Sequence, residues 1–255
     1  VGELYYHLLS SYIMDIFQYT THAIKTEEDD VGKKAIEFWL QVCEEEVERK
    51  ERIEDGEQGV EYFDLMKRSY PNLLPIIMEN TLNKQAEDVD DDEWNMYQAG
   101  CLFIKNLALC LGDEVLDILV PFVTTNFTST DWRFKEAAIS VFGFIMEGPT
   151  PQKLYPLIQQ AMPLLLGLTT DESDHVSVAA LWTLSQICEF HSTALNPTDL
   201  NPIMTNVMTA LERESPMLVE KACLVVINIA LACEDDADAD TNLISFFFMA
   251  LMQKL

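Results

Sequence analysis

Residues 87–94 read Glu-Asp-Val-Asp-Asp-Asp-Glu-Trp, six carboxylates in seven positions followed by an indole. Carboxylates this dense repel one another and hold their water, so the run is a charged loop between packed helices. An acidic run alone is ordinarily a solvated loop and nothing more. Here an aromatic closes it, and the helices that follow carry further acid and tryptophan along one stripe. Carboxylates accept hydrogen bonds from Arg and Lys, and the face of a Trp attracts the same cations. The chemistry open to this set is therefore capture of a basic partner. Asp90, Asp91, Asp92, Glu93 and Trp94 read as one contact of an extended acidic surface.

The composition points the same way. Of 255 residues, 43 are Asp or Glu and 16 are Lys or Arg, a formal net charge of −27. Phosphate binding needs a basic face, so direct nucleic-acid binding is excluded. An anionic membrane surface repels such a chain, and no apolar run reaches membrane-spanning length or opens the chain as a leader. An Arg/Lys-rich peptide is the favoured partner class. No enzyme is read here: nucleophile-elbow, phosphate-loop, zinc-protease and dinucleotide motifs are absent. No cofactor or metal is called for. An EF-hand register from Asp236 would need Gly at 241 and Glu at 247, where the chain has Thr241 and Phe247. His7, His22, His175 and His191 show no ligand spacing and read as surface or half-buried residues. The six cysteines each lie in an apolar helical run without a CxxC pair, as reduced core residues of a cytosolic or nuclear protein do.

What must position the acidic loop is a set of helix pairs. With 9 glycines, 10 prolines and 49% hydrophobic residues, a loop-rich β fold is disfavoured. Helical periodicity marks Tyr5–Ile24 with Lys34–Arg49, Tyr62–Leu82 with Trp94–Leu111, and Val115–Phe127 with Trp132–Met146. It continues in Leu154–Leu168 with Ser177–Phe190, and Pro202–Leu211 with Pro216–Cys233. Small-residue starts at Ala99, Ala137, Ala179 and Lys221-Ala222 recur at steps of 38, 42 and 42 residues. The longer first step from Lys34 holds two extra charged stretches, Glu44–Glu57 and the acidic loop. A period near 40 predicts an all-α fold, an α-solenoid (superhelix) of HEAT repeats built from antiparallel helix pairs. The repeats run approximately 1–57, 58–112, 113–148, 149–193, 194–236 and a partial 237–255, in one solenoid segment. Most first helices carry a proline, which kinks them. Ser245–Leu255 reads as a first helix with no second behind it, and no polar capping repeat opens the chain. Both ends therefore read as cuts in a longer superhelix.

Aligned on their small residues, the second helices place Glu37, Leu102, Ser140, Trp182 and Leu224 at one position. Two turns on come Glu44, Leu109, Glu147, Glu189 and Leu231. Second helices line the inner wall of a solenoid, so this stripe is expected to face a bound partner. Trp39 and Trp132 read as packing residues.

Several blocks resemble the importin-β (karyopherin-β) family: Ile36-Glu37-Phe38-Trp39, Val42-Cys43-Glu44-Glu45-Glu46, Asp90-Asp91-Asp92-Glu93-Trp94-Asn95, Asp131–Ala138, Glu147-Gly148-Pro149, Gln160-Ala161-Met162-Pro163, Ala180-Leu181-Trp182-Thr183 and Ile187-Cys188-Glu189. Their order and spacing carry the resemblance over essentially the whole chain, as the middle HEAT repeats of that receptor. The resemblance implies a nuclear import receptor that wraps the basic importin-β-binding helix of importin-α, or binds basic cargo directly. It implies release by Ran-GTP, contacts with Phe-Gly nucleoporins, and residence in cytoplasm, nucleus and nuclear pore. It gives Asp90, Asp91, Asp92, Glu93 and Trp94 the role of touching Ran near the basic helix. It gives Glu37 and Glu44 an acidic face toward Ran, and Trp182 a place in a tryptophan array whose next member is Leu224 here. Tyr12 matches a nucleoporin-pocket position, and Thr20 falls where the family has an aliphatic residue. The competing reading is a HEAT-repeat scaffold of another class, another karyopherin or a phosphatase structural subunit.

Overall fold

The computed structural model describes residues 2–88, 93–195 and 197–235, with side-chain burial over 5–88, 93–195 and 198–232. Asp90, Asp91 and Asp92, the Glu234–Asp240 run beyond Asp235, and the helix expected at Ser245–Leu255 lie outside the described residues. Within them there is no strand. The helices are α1 (Gly2–Thr26), α2 (Asp29–Glu54), α3 (Leu65–Thr81), α4 (Met96–Leu111), α5 (Leu116–Asn126), α6 (Trp132–Phe144), α7 (Pro151–Leu168), α8 (Asp174–His191), α9 (Pro197–Leu211) and α10 (Pro216–Asp235). The periodicity thus located each described α-helix, though not the short 3-10 turns Gly112–Val115 and Ser192–Ala194. It missed that α2 runs on past Arg49 to Glu54, a last stretch with no buried residue.

The chain forms two compact units, Val1–Thr150 and Pro151–Leu255. In the first, α1 packs on α2 and α3, α2 on α4, α3 on α4, α4 on α6 and α5 on α6. Second helices α2, α4 and α6 therefore lie side by side, as stacked hairpins require. In the second unit α7 packs on α8, α8 on α10 and α9 on α10. Pro71, Pro75, Pro121, Pro156, Pro163 and Pro202 lie inside first helices, and all are exposed. Each proline removes a backbone donor, and on an exposed face the carbonyl it leaves without a helical partner can turn to water rather than core.

The packing is close where small residues face each other. A Cβ added at Gly100 on α4 would lie 2.1 Å from Thr81 Oγ1 at the end of α3. At Gly148, where φ is +110°, an added Cβ would lie 2.2 Å from the Ala108 carbonyl. Gly100 leaves room for the Thr81 side chain, while Gly148 lets its backbone touch that of α4 and also adopts a positive φ that other residues resist.

A buried polar node joins four helices. Glu46 on α2 accepts from the Tyr6 hydroxyl at 2.6 Å, from Leu65 N at 2.5 Å and from Met66 N at 3.1 Å. It thereby caps α3, whose preceding residue Asp64 has φ 53° and gives no side-chain cap. Tyr6 in turn accepts from Phe63 N at 3.0 Å. Beside it Arg49 pairs with Glu45 at 2.6 Å and stacks 4.2 Å over the Tyr6 ring, while Lys50 donates to the Cys110 carbonyl on α4 at 2.5 Å. Burial pushes the Glu46 carboxyl above the usual carboxylate range, against the lowering effect of its three donors.

Two consequences are measurable by urea unfolding. Glu46→Ala strands the Tyr6 hydroxyl and two helix N–H groups, and lowers stability by about 3–5 kcal/mol. Gly100→Ala forces α3 and α4 apart and costs about 1–3 kcal/mol.

Candidate functional site

The acidic loop is held at both stems by residues on three other helices. On the entering side, Gln85 is buried and donates to the Leu82 and Arg133 carbonyls and, at 2.7 Å, to Glu136 on α6. Glu136 is itself buried, and accepts from the Tyr97 hydroxyl at 2.6 Å and from Ser140 at 3.0 Å. Next along, Glu87 pairs with Arg133, whose guanidinium lies 4.4 Å over the Trp132 ring. On the leaving side, Asn95 opens α4 with a capping box: its side chain accepts from Gln98 N at 2.9 Å, and Gln98 accepts from Asn95 N. Lys33 on α2 donates to the Trp94 carbonyl at 3.0 Å, and Lys84 pairs with Asp29 at 2.7 Å. A cleft of about 280 Å³ opens between these groups, lined among others by Asp29, Lys33, Lys84, Glu93 and Trp94.

At its rim Glu93 is exposed and Trp94 is 41% exposed, an unusual setting for an indole. Trp39 is the opposite case, fully buried with its N–H donated to Thr20 at 3.0 Å. That bond draws Thr20 inward: its hydroxyl also donates to the Ile16 carbonyl at 2.8 Å. Tyr12, eight residues earlier on α1, is 60% exposed. Thr20 serves the α1–α2 seam.

The stripe on the second helices is only partly a surface. On α2, Glu37 is half-buried and pairs with Lys34 at 2.6 Å, and Glu44 is exposed. Glu45 and Glu46, the next two residues, turn inward and are buried. Glu147, after α6, is half-buried, 3.8 Å from Lys105 on α4. Ser140 does not belong on the stripe: it is buried against Glu136. Within the second unit Trp182 on α8 and Leu224 on α10 are half-buried. Glu189 is exposed and accepts from Gln186 at 3.2 Å and from Asn228 on α10 at 3.3 Å. Asn228 also donates to the Ser185 carbonyl at 2.9 Å.

Sequence reasoning overlooked the residues that meet the loop's stems: Asp29, Lys33, Lys84, Gln85, Tyr97, Arg133 and Glu136. They are scattered over α2, the α3–α4 loop, α4 and α6, and nothing in their local spacing marks them. Two assignments are corrected. Cys43, Cys101, Cys110 and Cys188 are buried, but Cys223 is exposed on α10, on a face its helix does not pack. Burial holds the Cys188 thiol up at about 12, too high for reactivity at neutral pH. His191 is buried, with its ring 5.8 Å edge-on to Tyr155, rather than at the surface. Among the described residues no cluster of His, Cys, Asp and Glu is placed to hold a metal ion, and no helix is long and apolar enough to cross a membrane.

Stacked helical hairpins define the class as a HEAT-type α-solenoid, and residues 132–187 match the HEAT-like repeat model. Importin subunit beta-1 of Arabidopsis thaliana is 34% identical over 92% of this chain. Kap95p in a structure with RanGDP, and again in a Kap95:Nup1 complex, superposes with a TM-score of 0.90 at 25% identity, covering 99% of this chain and 29% of theirs. The chain is thus an importin-β-like (karyopherin-β-like) run of HEAT repeats. It spans 28% of the length of the Arabidopsis relative.

The two tryptophans separate packing from display. Trp94→Ala changes thermal stability by less than about 0.5 kcal/mol, whereas Trp39→Ala costs about 3–5 kcal/mol, both read by calorimetry.

Proposed function

We propose that this chain is a segment of a nuclear import receptor that captures a basic partner on an acidic face. The observation that carries the reading is the exposed Glu93–Trp94 pair where a helix-anchored acidic loop runs into α4, in a chain of net charge −27. The partner is the basic importin-β-binding helix of importin-α, or basic cargo. Carboxylates at Glu37, Glu44, Glu147 and Glu189, with Asp90, Asp91, Asp92 and Glu93, accept from its Arg and Lys side chains. The faces of Trp94 and Trp182 stack against them. Attraction between opposite net charges makes capture fast and weakens it as salt rises.

Ran-GTP, as a second ligand for overlapping acids, displaces the load. The solved complexes of Kap95p with RanGDP and with Nup1 support Ran and nucleoporins as partners of this kind of fold. Tyr12, exposed on α1, is the candidate contact for Phe-Gly nucleoporins, with Thr20 behind it in the α1–α2 seam. Such a receptor shuttles between cytoplasm and nucleus through the pore. It carries out no reaction and needs no cofactor: its work is differential binding.

Calorimetric titration with a synthetic importin-β-binding peptide tests the reading. Binding is expected at low salt, weakening by about tenfold or more as ionic strength rises several-fold. Replacing Asp90, Asp91 and Asp92 by lysine weakens both the peptide and Ran-GTP, with the circular dichroism of the helices unchanged. No binding at low salt would favour a HEAT scaffold of another class.

A further inference from the structure

The described stems of the acidic loop are tied by the chain's own cations. Lys84 lies 2.7 Å from Asp29, and Arg133 pairs with Glu87 while stacked on Trp132. Only 16 residues of the chain are Lys or Arg, so two in ion pairs at the stems of one loop is a notable concentration. Each sits as an Arg or Lys of a basic partner would sit, on a carboxylate, and one of them over an indole. The paired acids are open to solvent: Asp29 is 62% exposed and Glu87 is 84% exposed. Water screens such pairs, so each is weak and exchanges readily.

The loop does not depend on these pairs for its place. The entering stem is fixed from inside by Gln85, buried between the Leu82 and Arg133 carbonyls and Glu136, which Tyr97 also binds. The leaving stem is fixed by the capping box at Asn95 and Gln98. The surface pairs are thus redundant for positioning, and occupy acids a basic ligand could use.

We propose that Lys84 and Arg133 are self-ligands, which hold Asp29 and Glu87 in the unliganded chain and are exchanged for the cations of a basic partner. The proposal rests on the reading of the chain as a receptor for basic ligands, and needs only the stems 82–88 and 93–96. A tethered cation competes at high effective concentration. It turns away segments with one or two scattered charges, and yields to a ligand that brings several at once. It also re-forms when that ligand leaves, which assists release. If the two residues merely position the loop, removing them has the opposite sign.

The test is fluorescence anisotropy with a labelled oligo-arginine peptide at low salt. The variant Lys84→Gln/Arg133→Gln is compared with Lys67→Gln/Lys153→Gln, which removes the same charge away from the loop. Lys67 pairs with Glu114 and Lys153 is exposed on α7. The loop variant binds about two- to fivefold more tightly than the control, as release of one or two exposed pairs allows, and the difference vanishes at high salt. Each single variant gives part of the gain, which guards against a folding defect in the double one. Affinity equal to the control, or weaker, overturns the self-ligand role while leaving the receptor reading intact. A wild-type chain that ignores the peptide overturns the receptor reading itself, and the self-ligand role with it.

Discussion

Like charges must be kept apart, and that constraint organises this molecule. With 43 carboxylates against 16 cations, every acid either finds a partner or faces water. A buried carboxylate left alone would cost several kcal/mol, so the interior admits few of them, and on strict terms. Glu46 is taken in because one hydroxyl and two helix N–H groups meet it, Glu136 because Gln85, Tyr97 and Ser140 do, and Glu45 because Arg49 lies beside it. Many of the rest are left at the surface, where their mutual repulsion is a standing attraction for anything basic.

The buried acids also do the structural work that loops in a helical stack need. A hairpin connection leaves N–H groups unsatisfied at the start of each helix. At α3 the deficit is met by Glu46 from a different helix, which is why α3 can follow a residue with φ 53° and no cap of its own. At α4 the deficit is met locally by Asn95 and Gln98. The first solution ties α1, α2 and α3 into one unit, and the second lets a highly charged loop end abruptly at a helix.

The loop therefore joins two kinds of electrostatics. Its stems are clamped by bonds from buried and half-buried side chains, which resist salt and change little. Its rim is exposed carboxylate, indole and a few tethered cations, which respond to salt and to ligands. A receptor that must both seize and release a basic partner needs this division: rigid placement below, exchangeable charge above.

Periodicity and composition by themselves determined the class. A repeat near 40 residues, prolines in the first helices and small residues opening the second specify stacked hairpins, because those patterns answer to local geometry and close helix approach. The charge of −27 likewise pointed to a basic partner, since net charge does not depend on the fold. What only the tertiary structure decided is which acids are surface. Glu44, Glu45 and Glu46 are consecutive and chemically alike, yet the first is exposed and the other two are buried. Their fates turn on Tyr6, Arg49 and the start of α3, residues that become neighbours only on folding. For the same reason Gln85, Arg133 and Glu136 carry no signature in the chain: a bond between residues about fifty apart in sequence has no period to read.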